Sequence, residues 1–366
     1  MPKKENWHSN RLTALVRPHS FSRNRSQTIR LGYVPLTDCA PLAVAMETGI
    51  FEKHGLHVSL HRKLGWATIR DSLFYGDLDA AQSIAGIAFT LGYGLTDLRC
   101  EVAVPMLLNL HGNAITLSSK LPHDAIRDGS GLKKYLAAHW RSDRPFTLAS
   151  PHRFSSHSIL LHTWLKRHGL ADSDIEIIYL PPPLMPRHLK AGHIDGFCVG
   201  EPWNSEAILS GFGWCPATSA DISYGHPEKV LLVSGEFLQE RKEETVGLVA
   251  ALLESCRKCE DPLFLNDLIE VLAMPKYIAA SKEVLRNSLG DVFFNGVTKI
   301  PAKGFHMFHG DTVNRPSTDK ASWMLAGLRN AGTLPEISCG SLSRLYREDI
   351  YLAALAKEHE AASSLG

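Results

Sequence analysis

The stretch from Ala191 to Asn204, AGHIDGFCVGEPWN, decides how this chain is read. A helix ends at Gly192, a short strand runs over 196–199, and a new helix opens at Gly200-Glu201-Pro202-Trp203. Glycine after a helix supplies the left-handed stop, and proline early in the next helix gives up no needed donor. A buried strand ending in glycine at a helix start presents free backbone N–H groups, an arrangement suited to anions. The same grammar occurs at Gly76-Asp77-Leu78-Asp79-Ala80-Ala81-Gln82. The doubled pattern, helix, G-x-(I/L)-D-(A/G), strand, glycine, helix, predicts two similar α/β lobes with something small held between them.

Working outward, the 366 residues predict two or three domains with a sizeable core. There are 39 basic and 38 acidic side chains, a balance that argues against a dedicated nucleic-acid surface. The 18 histidines are scattered and form no tight metal-binding spacing, so no metal or cofactor is expected. The seven cysteines are odd in number and sit in apolar context, which predicts reduced buried thiols. Cys256-Arg257-Lys258-Cys259 falls in a helical pattern and is read as plain helix. Residues 1–28 are basic and polar, without the apolar core of a secretory signal, and are expected to be flexible. No run of about 18 apolar residues occurs, so no membrane span is expected. These features predict a cytoplasmic protein.

Several single residues invite two readings. Trp66 stands at the mouth of a helix after a strand, where open α/β sheets place ligands; taken alone it is a core tryptophan. Asn113 breaks a long apolar run (100–117) at the point where the chain crosses between lobes. It serves either a turn or a ligand. Ser155 and Ser156 are N-cap candidates that put His157 in a first helical turn, at the positive end of a helix. Lys229 begins a strand, either as a surface charge or as a point charge for an anion. Asp38 is read as the cap of the helix that follows the first strand.

Six strings carry a resemblance: Leu31 to Asp38 with Ala40-Pro41-Leu42, Gly65 to Asp71, Leu108 to Asn113, Pro181 to Met185, Gly196 to Asn204, and His226 to Lys229. Together they resemble the nitrate- and bicarbonate-binding solute-receptor family of ABC transporters. The resemblance implies a two-lobed type II periplasmic-binding-protein clamp, with the ligand cleft between the lobes. Lobe I would comprise 29–112 with 236–366, and lobe II 113–235. It further implies ligand contacts from Trp66, Asn113, Ser156, His157, Pro183 and Lys229, and no catalytic residues. Asn113 replaces the family's glutamine and is one methylene shorter. Lys229 stands where the bicarbonate receptors carry an acid, which favours nitrate or nitrite. A planar monoanion needs in-plane donors and a fixed positive charge in a dry site.

A receptor that feeds a transporter must be exported, and the N-terminal segment predicts otherwise. The expected function is therefore that of the family's unexported branch, which is similar to NasS-type sensors. Such a sensor binds nitrate or nitrite and holds an ANTAR-type RNA-binding antiterminator inactive until the anion arrives. The other reading is the receptor of a nitrate or bicarbonate ABC transporter. An enzyme on this frame is disfavoured, because no paired carboxylates or nucleophile–base pair stand out.

Overall fold

A computed structural model describes residues 15–16, 28–140, 144–170, 175–310, 312–334 and 342–363. Its frame is two five-stranded sheets built from ten strands. These are β1 (Ile29–Tyr33), β2 (Val58–Arg62), β3 (Ala80–Ile84), β4 (Val102–Leu107), β5 (Asn113–Ser118), β6 (Phe146–Ser150), β7 (Ile175–Tyr179), β8 (Gly196–Gly200), β9 (Gly213–Thr218) and β10 (Lys229–Ser234). The first sheet runs β2-β1-β3-β10-β4 and the second β7-β6-β8-β5-β9.

The two sheets share one plan. In each, three strands are parallel, and a fourth lies antiparallel beside the third. In the first sheet that fourth strand is β10, which returns only after the second lobe is complete. In the second it is β5, which arrives directly from β4. The two-lobed α/β fold expected from the sequence is the one observed. One expected boundary moves: Lys229–Ser234 had been assigned to the second lobe, but it pairs with Ala80–Ile84 and with β4 in the first sheet. The apolar run Val230 to Val233 within this strand fits equally well in either lobe by pattern alone, so only pairing decides. Of the N-terminal segment, Leu15–Val16 pairs parallel with Leu98–Arg99, and the expectation of flexibility for the remainder falls outside the described residues.

The doubled aspartate has one job in both lobes. Asp79 accepts from the Arg30 amide at 2.8 Å and pairs with the Arg30 guanidinium at 2.7 Å. Asp195 accepts from the Thr147 amide at 2.8 Å and pairs with Arg144 at 2.7 Å. Each carboxylate thus ties the start of a third strand to the start of the parallel strand beside it. A fork-on-carboxylate geometry fixes register as well as adding energy.

The helix Lys242–Glu260 buries Leu248, Val249, Leu252, Leu253 and Cys256 in the core beside the helix Ala40–Glu47. Each such aliphatic side chain contributes about 1.5–3 kcal/mol of burial. Cys256 and Cys259 are buried thiols within this helix, and no disulfide is formed by the six cysteines among the described residues; Cys339 lies outside them. Among the described residues no helix is long and apolar enough to cross a membrane.

The lobes touch closely. A second apolar cluster is continuous across them, joining Val34, Leu36 and Trp66 to Phe154, Phe197 and Val199. Thr37 donates its amide to the Glu201 carbonyl at 2.8 Å, and Trp203 donates to the Pro35 carbonyl at 3.1 Å. Gly86, at the start of the helix Ala85–Tyr93, lies against the Phe154 carbonyl of the other lobe. A β-carbon there would stand 1.6 Å from that oxygen. Gly86→Ala is therefore expected to prise the lobes apart. Small-angle scattering should show a larger radius of gyration with an unchanged far-ultraviolet dichroism spectrum; an unaltered radius would refute this reading of the contact.

Candidate functional site

The carboxyl ends of the parallel strands in both sheets point toward the seam between the lobes, where ligands of open α/β sheets collect. From the first lobe, the turn after β1 brings Asp38 and the helix Trp66–Phe74 after β2 brings Trp66. From the second, the helix Ser156–Arg167 after β6 brings Ser156 and His157 at its first turn. Ser155 caps that helix by accepting from the Ser158 amide. The two crossovers deliver Asn113 and the pair Glu228-Lys229.

These groups converge on one carboxylate. Glu228 Oε2 accepts from Asn113 Nδ2 at 2.6 Å and from Ser156 Oγ at 2.6 Å. Glu228 Oε1 pairs with Lys229 Nζ at 2.5 Å. His157 Nε2 lies 3.5 Å from Oε1, and His226 Nδ1 lies 3.7 Å from Oε2. Lys229 Nζ also pairs with Asp38 Oδ2 at 2.7 Å and sits 5.4 Å from the centroid of Trp66, within cation–π reach. Asp38 is held in turn by Gln82, whose Nε2 donates to it while its Oε1 accepts from the Val34 amide. All of these side chains are buried.

Five of the six residues expected from the sequence, Trp66, Asn113, Ser156, His157 and Lys229, therefore meet around Glu228. Pro183 does not join them through any described contact; it is half-buried on the turn Pro182–Leu184 after the edge strand β7. Two expectations change in detail. Asp38 caps nothing, since its side chain turns inward to Lys229. The Asn113 amide and the Lys229 ammonium donate to carboxylates of the chain itself. Sequence reasoning missed Glu228, Asp38, Gln82 and His226 as members. The signal was present in Glu228-Lys229 immediately before the apolar run Val230 to Val233, which buries both charges with it.

Electrostatics follow from burial. Burial opposes ionisation of Glu228, but Lys229 and then the two imidazoles outweigh it and hold its carboxyl at about 2. Burial pushes Asp38 up to about 6 against the pull of Lys229. The same two carboxylates keep Lys229 charged despite its burial. His157 is driven down to about 3 and His226 to about 4, chiefly by burial, so both are neutral near pH 7. Two carboxylates against one ammonium leave the cluster at −1. A further anion about 4 Å from that excess charge is opposed by about 4 kcal/mol at an effective dielectric of ~20. Against this stand buried polar groups without a hydrogen-bond partner: Trp66 Nε1, a donor, and the neutral His157 ring, which has one N–H to donate. No group of three or more His, Cys, Asp or Glu that could hold a metal ion occurs among the described residues.

Residues 22–273 match the NMT1-like family model. The chain belongs to this family. It is 38% identical over 330 residues to the nitrate import ATP-binding protein NrtC of Synechocystis sp., covering 88% of this chain and 49% of that protein. It is 39% identical over 315 residues to the bicarbonate transport ATP-binding protein CmpC of the same organism, covering 84% of this chain and 46% of that protein. The chain thus spans about half the length of these two curated relatives. Its fold matches the crystal structure of the periplasmic nitrate-binding protein NrtA from Synechocystis PCC 6803 with a TM-score of 0.84, at 23% identity, over 91% of this chain and 89% of that one. The fold is therefore that of the two-lobed periplasmic-binding proteins. These relatives and neighbours are import and binding proteins, in agreement with the expectation of a non-enzymatic chain.

Two outcomes follow from the charge arrangement. Lys229→Met leaves Asp38 and Glu228 buried without their shared cation and is expected to cost about 3–5 kcal/mol in urea unfolding at pH 7, with a smaller loss at pH 5, where Asp38 is protonated. The acid response has a definite sign. His152, His157, His226 and His306 have folded values of about 3 to 4, so their neutral forms are favoured by folding, and stability falls as pH drops below about 6.5. Asp38 and Glu201, raised by burial to about 6 and 7, act oppositely and keep protons that the unfolded chain releases. Near pH 5, four imidazoles against two carboxyls leave the unfolded chain about two protons richer, so stability should rise by roughly 3 kcal/mol per pH unit. Urea midpoints between pH 4.5 and 6 check this, and a flat profile would contradict it.

Proposed function

We propose that this chain is a clamp for nitrate or nitrite that works as a cytoplasmic sensor. The observation that carries the reading is the convergence of Asn113 Nδ2, Ser156 Oγ and Lys229 Nζ on one planar, Y-shaped carboxylate at the seam of the lobes. A group of donors that encloses such a shape suits a planar oxyanion, with the Trp66 indole as one wall and the His157 imidazole supplying a further donor. Pro183 remains a candidate for the outer wall. The names of the relatives cover nitrate and bicarbonate. The ammonium of Lys229 in the cluster favours the permanently deprotonated anions.

The sensing role draws on a different observation. The relatives at 38–39% identity are ATP-binding proteins, and the matched region makes up about half of each. ATP is a cytoplasmic ligand, and we take the ATP-binding names of these relatives as support for a clamp that reads anions on that side. In the proposed cycle the ligand-free clamp holds an ANTAR-type RNA-binding antiterminator, and closure on the anion releases it. Coupling of 1–3 kcal/mol between the two events is typical of such linkage. The alternative is a solute receptor of a nitrate or bicarbonate importer, favoured by the fold shared with a periplasmic nitrate-binding protein.

Titration calorimetry of the chain with nitrate, nitrite and hydrogen carbonate, followed by co-purification with the antiterminator in each anion, tests both. One site for nitrate or nitrite, tighter than for hydrogen carbonate, and dissociation of the partner at saturation are expected. Anion binding without any effect on the partner selects the receptor reading, and absence of anion binding rejects both.

A further inference from the structure

The centre of the cluster is held by a group that nothing in the sequence reading assigned to it. Glu228 is a trigonal carboxylate, and its two oxygens take the donors that a planar oxyanion would use. Oε2 receives Asn113 and Ser156, both carried by the second lobe, and Oε1 receives Lys229, which begins β10 of the first sheet. The same carboxylate stands close to the first turn of the helix Ser156–Arg167, whose positive end favours negative charge. These three contacts are short and fully desolvated, the setting in which charge-assisted hydrogen bonds are strongest. Lys229 does not depend on Glu228 for a counter-ion, because Asp38 also pairs with it at 2.7 Å.

We propose that Glu228 is a built-in competitor for the anion: its carboxylate occupies the donors of the site, and ligand binding displaces it. This rests on the reading of the chain as a planar-oxyanion clamp. The displacement needs no bond to form or break beyond hydrogen bonds. Asn113 Nδ2, Ser156 Oγ and Lys229 Nζ exchange one carboxylate for one anion of like shape and like charge, so the enclosed charge is conserved if Glu228 moves out to water. If both stayed, the cluster would carry two units of excess negative charge around one ammonium. The competitor serves two ends. It keeps the donors satisfied while the clamp waits, since an unpaired buried ammonium or amide is costly. It also sets the anion concentration at which the clamp responds, because every ligand must first outbid an intramolecular rival for the same donors.

The test is titration calorimetry of the full chain with nitrate, nitrite and hydrogen carbonate, comparing the wild type with Glu228→Gln. The amide keeps the shape and one acceptor but not the charge. Displacement predicts that E228Q binds all three anions at least tenfold more tightly than the wild type. Unchanged or weaker nitrate binding overturns the proposal while leaving the clamp reading intact. Selective loss of hydrogen carbonate binding in E228Q also overturns it, because Glu228 would then be accepting that ligand's proton rather than yielding its place. Failure of both proteins to bind any of the three overturns the proposal together with the reading beneath it. A crystal structure of the wild type grown in saturating nitrate gives a result that does not depend on the variant's folding. Asn113 and Ser156 should donate to nitrate, with the Glu228 carboxylate withdrawn; nitrate beside a Glu228 still held by both donors refutes displacement.

Discussion

A single ammonium shared by two carboxylates in the seam between the lobes is the constraint on which the rest of this structure depends. Lys229 is fully buried, and a lone charge there would be intolerable. Asp38 arrives from the turn after the first strand and Glu228 from the crossover that returns to the first sheet, so the triad stitches together segments far apart in sequence. Around it each neighbour is placed for a reason. Gln82 fixes Asp38, Asn113 and Ser156 fix Glu228, and Trp66 offers its face to the ammonium. Breaking a buried pair costs far more than forming it gains, so such a triad specifies the geometry of the site more than it stabilises the fold.

Much of the architecture could be read before any coordinates. The repeated G-x-(I/L)-D-(A/G) phrase announced two lobes because the same mechanical problem, pinning a third strand to the first, is solved twice with Asp79–Arg30 and Asp195–Arg144. The break at His111-Gly112-Asn113 marked a crossover because an apolar run too long for one strand has to turn somewhere. Trp66, Ser156, His157 and Lys229 were recognisable by position, at the ends of strands and starts of helices. The partners of Lys229 were not. Asp38 carried an equally good local explanation as a helix cap, and Glu228 was given no role beyond its place in the His226 to Lys229 string. Local pattern assigns a charged side chain to water by default; only the packing of the two lobes reveals that both are enclosed. The assignment of β10 failed for the same reason, since its apolar sequence satisfies either sheet.

The comparisons agree with this division. Fold and family follow from the whole chain, whereas in the proposed reading the choice of anion turns on a handful of side chains in the seam, and relatives of nearly equal identity carry nitrate and bicarbonate in their names. The contacts that hold the seam shut are of two kinds. Gly86 against Phe154 and Gly200 against Leu36 are places where backbone must approach closely, and the Thr37–Glu201 hydrogen bond aligns the approach. The ionic triad lies between them, shielded from water by the apolar cluster that spans both lobes.

The position of β10 also governs the order in which the molecule can be made. It is an interior strand of the first sheet, between β3 and β4, yet it emerges from the ribosome only after every strand of the second sheet. The second lobe owns all its strands within one continuous segment and can mature while the first still has a slot in its middle. Insertion of that late strand carries Glu228 and Lys229 into place as it closes the slot. The cluster around Lys229 is thus the last part of the two sheets to be assembled during synthesis, so a nascent chain acquires the recognition chemistry proposed for it only once both halves exist.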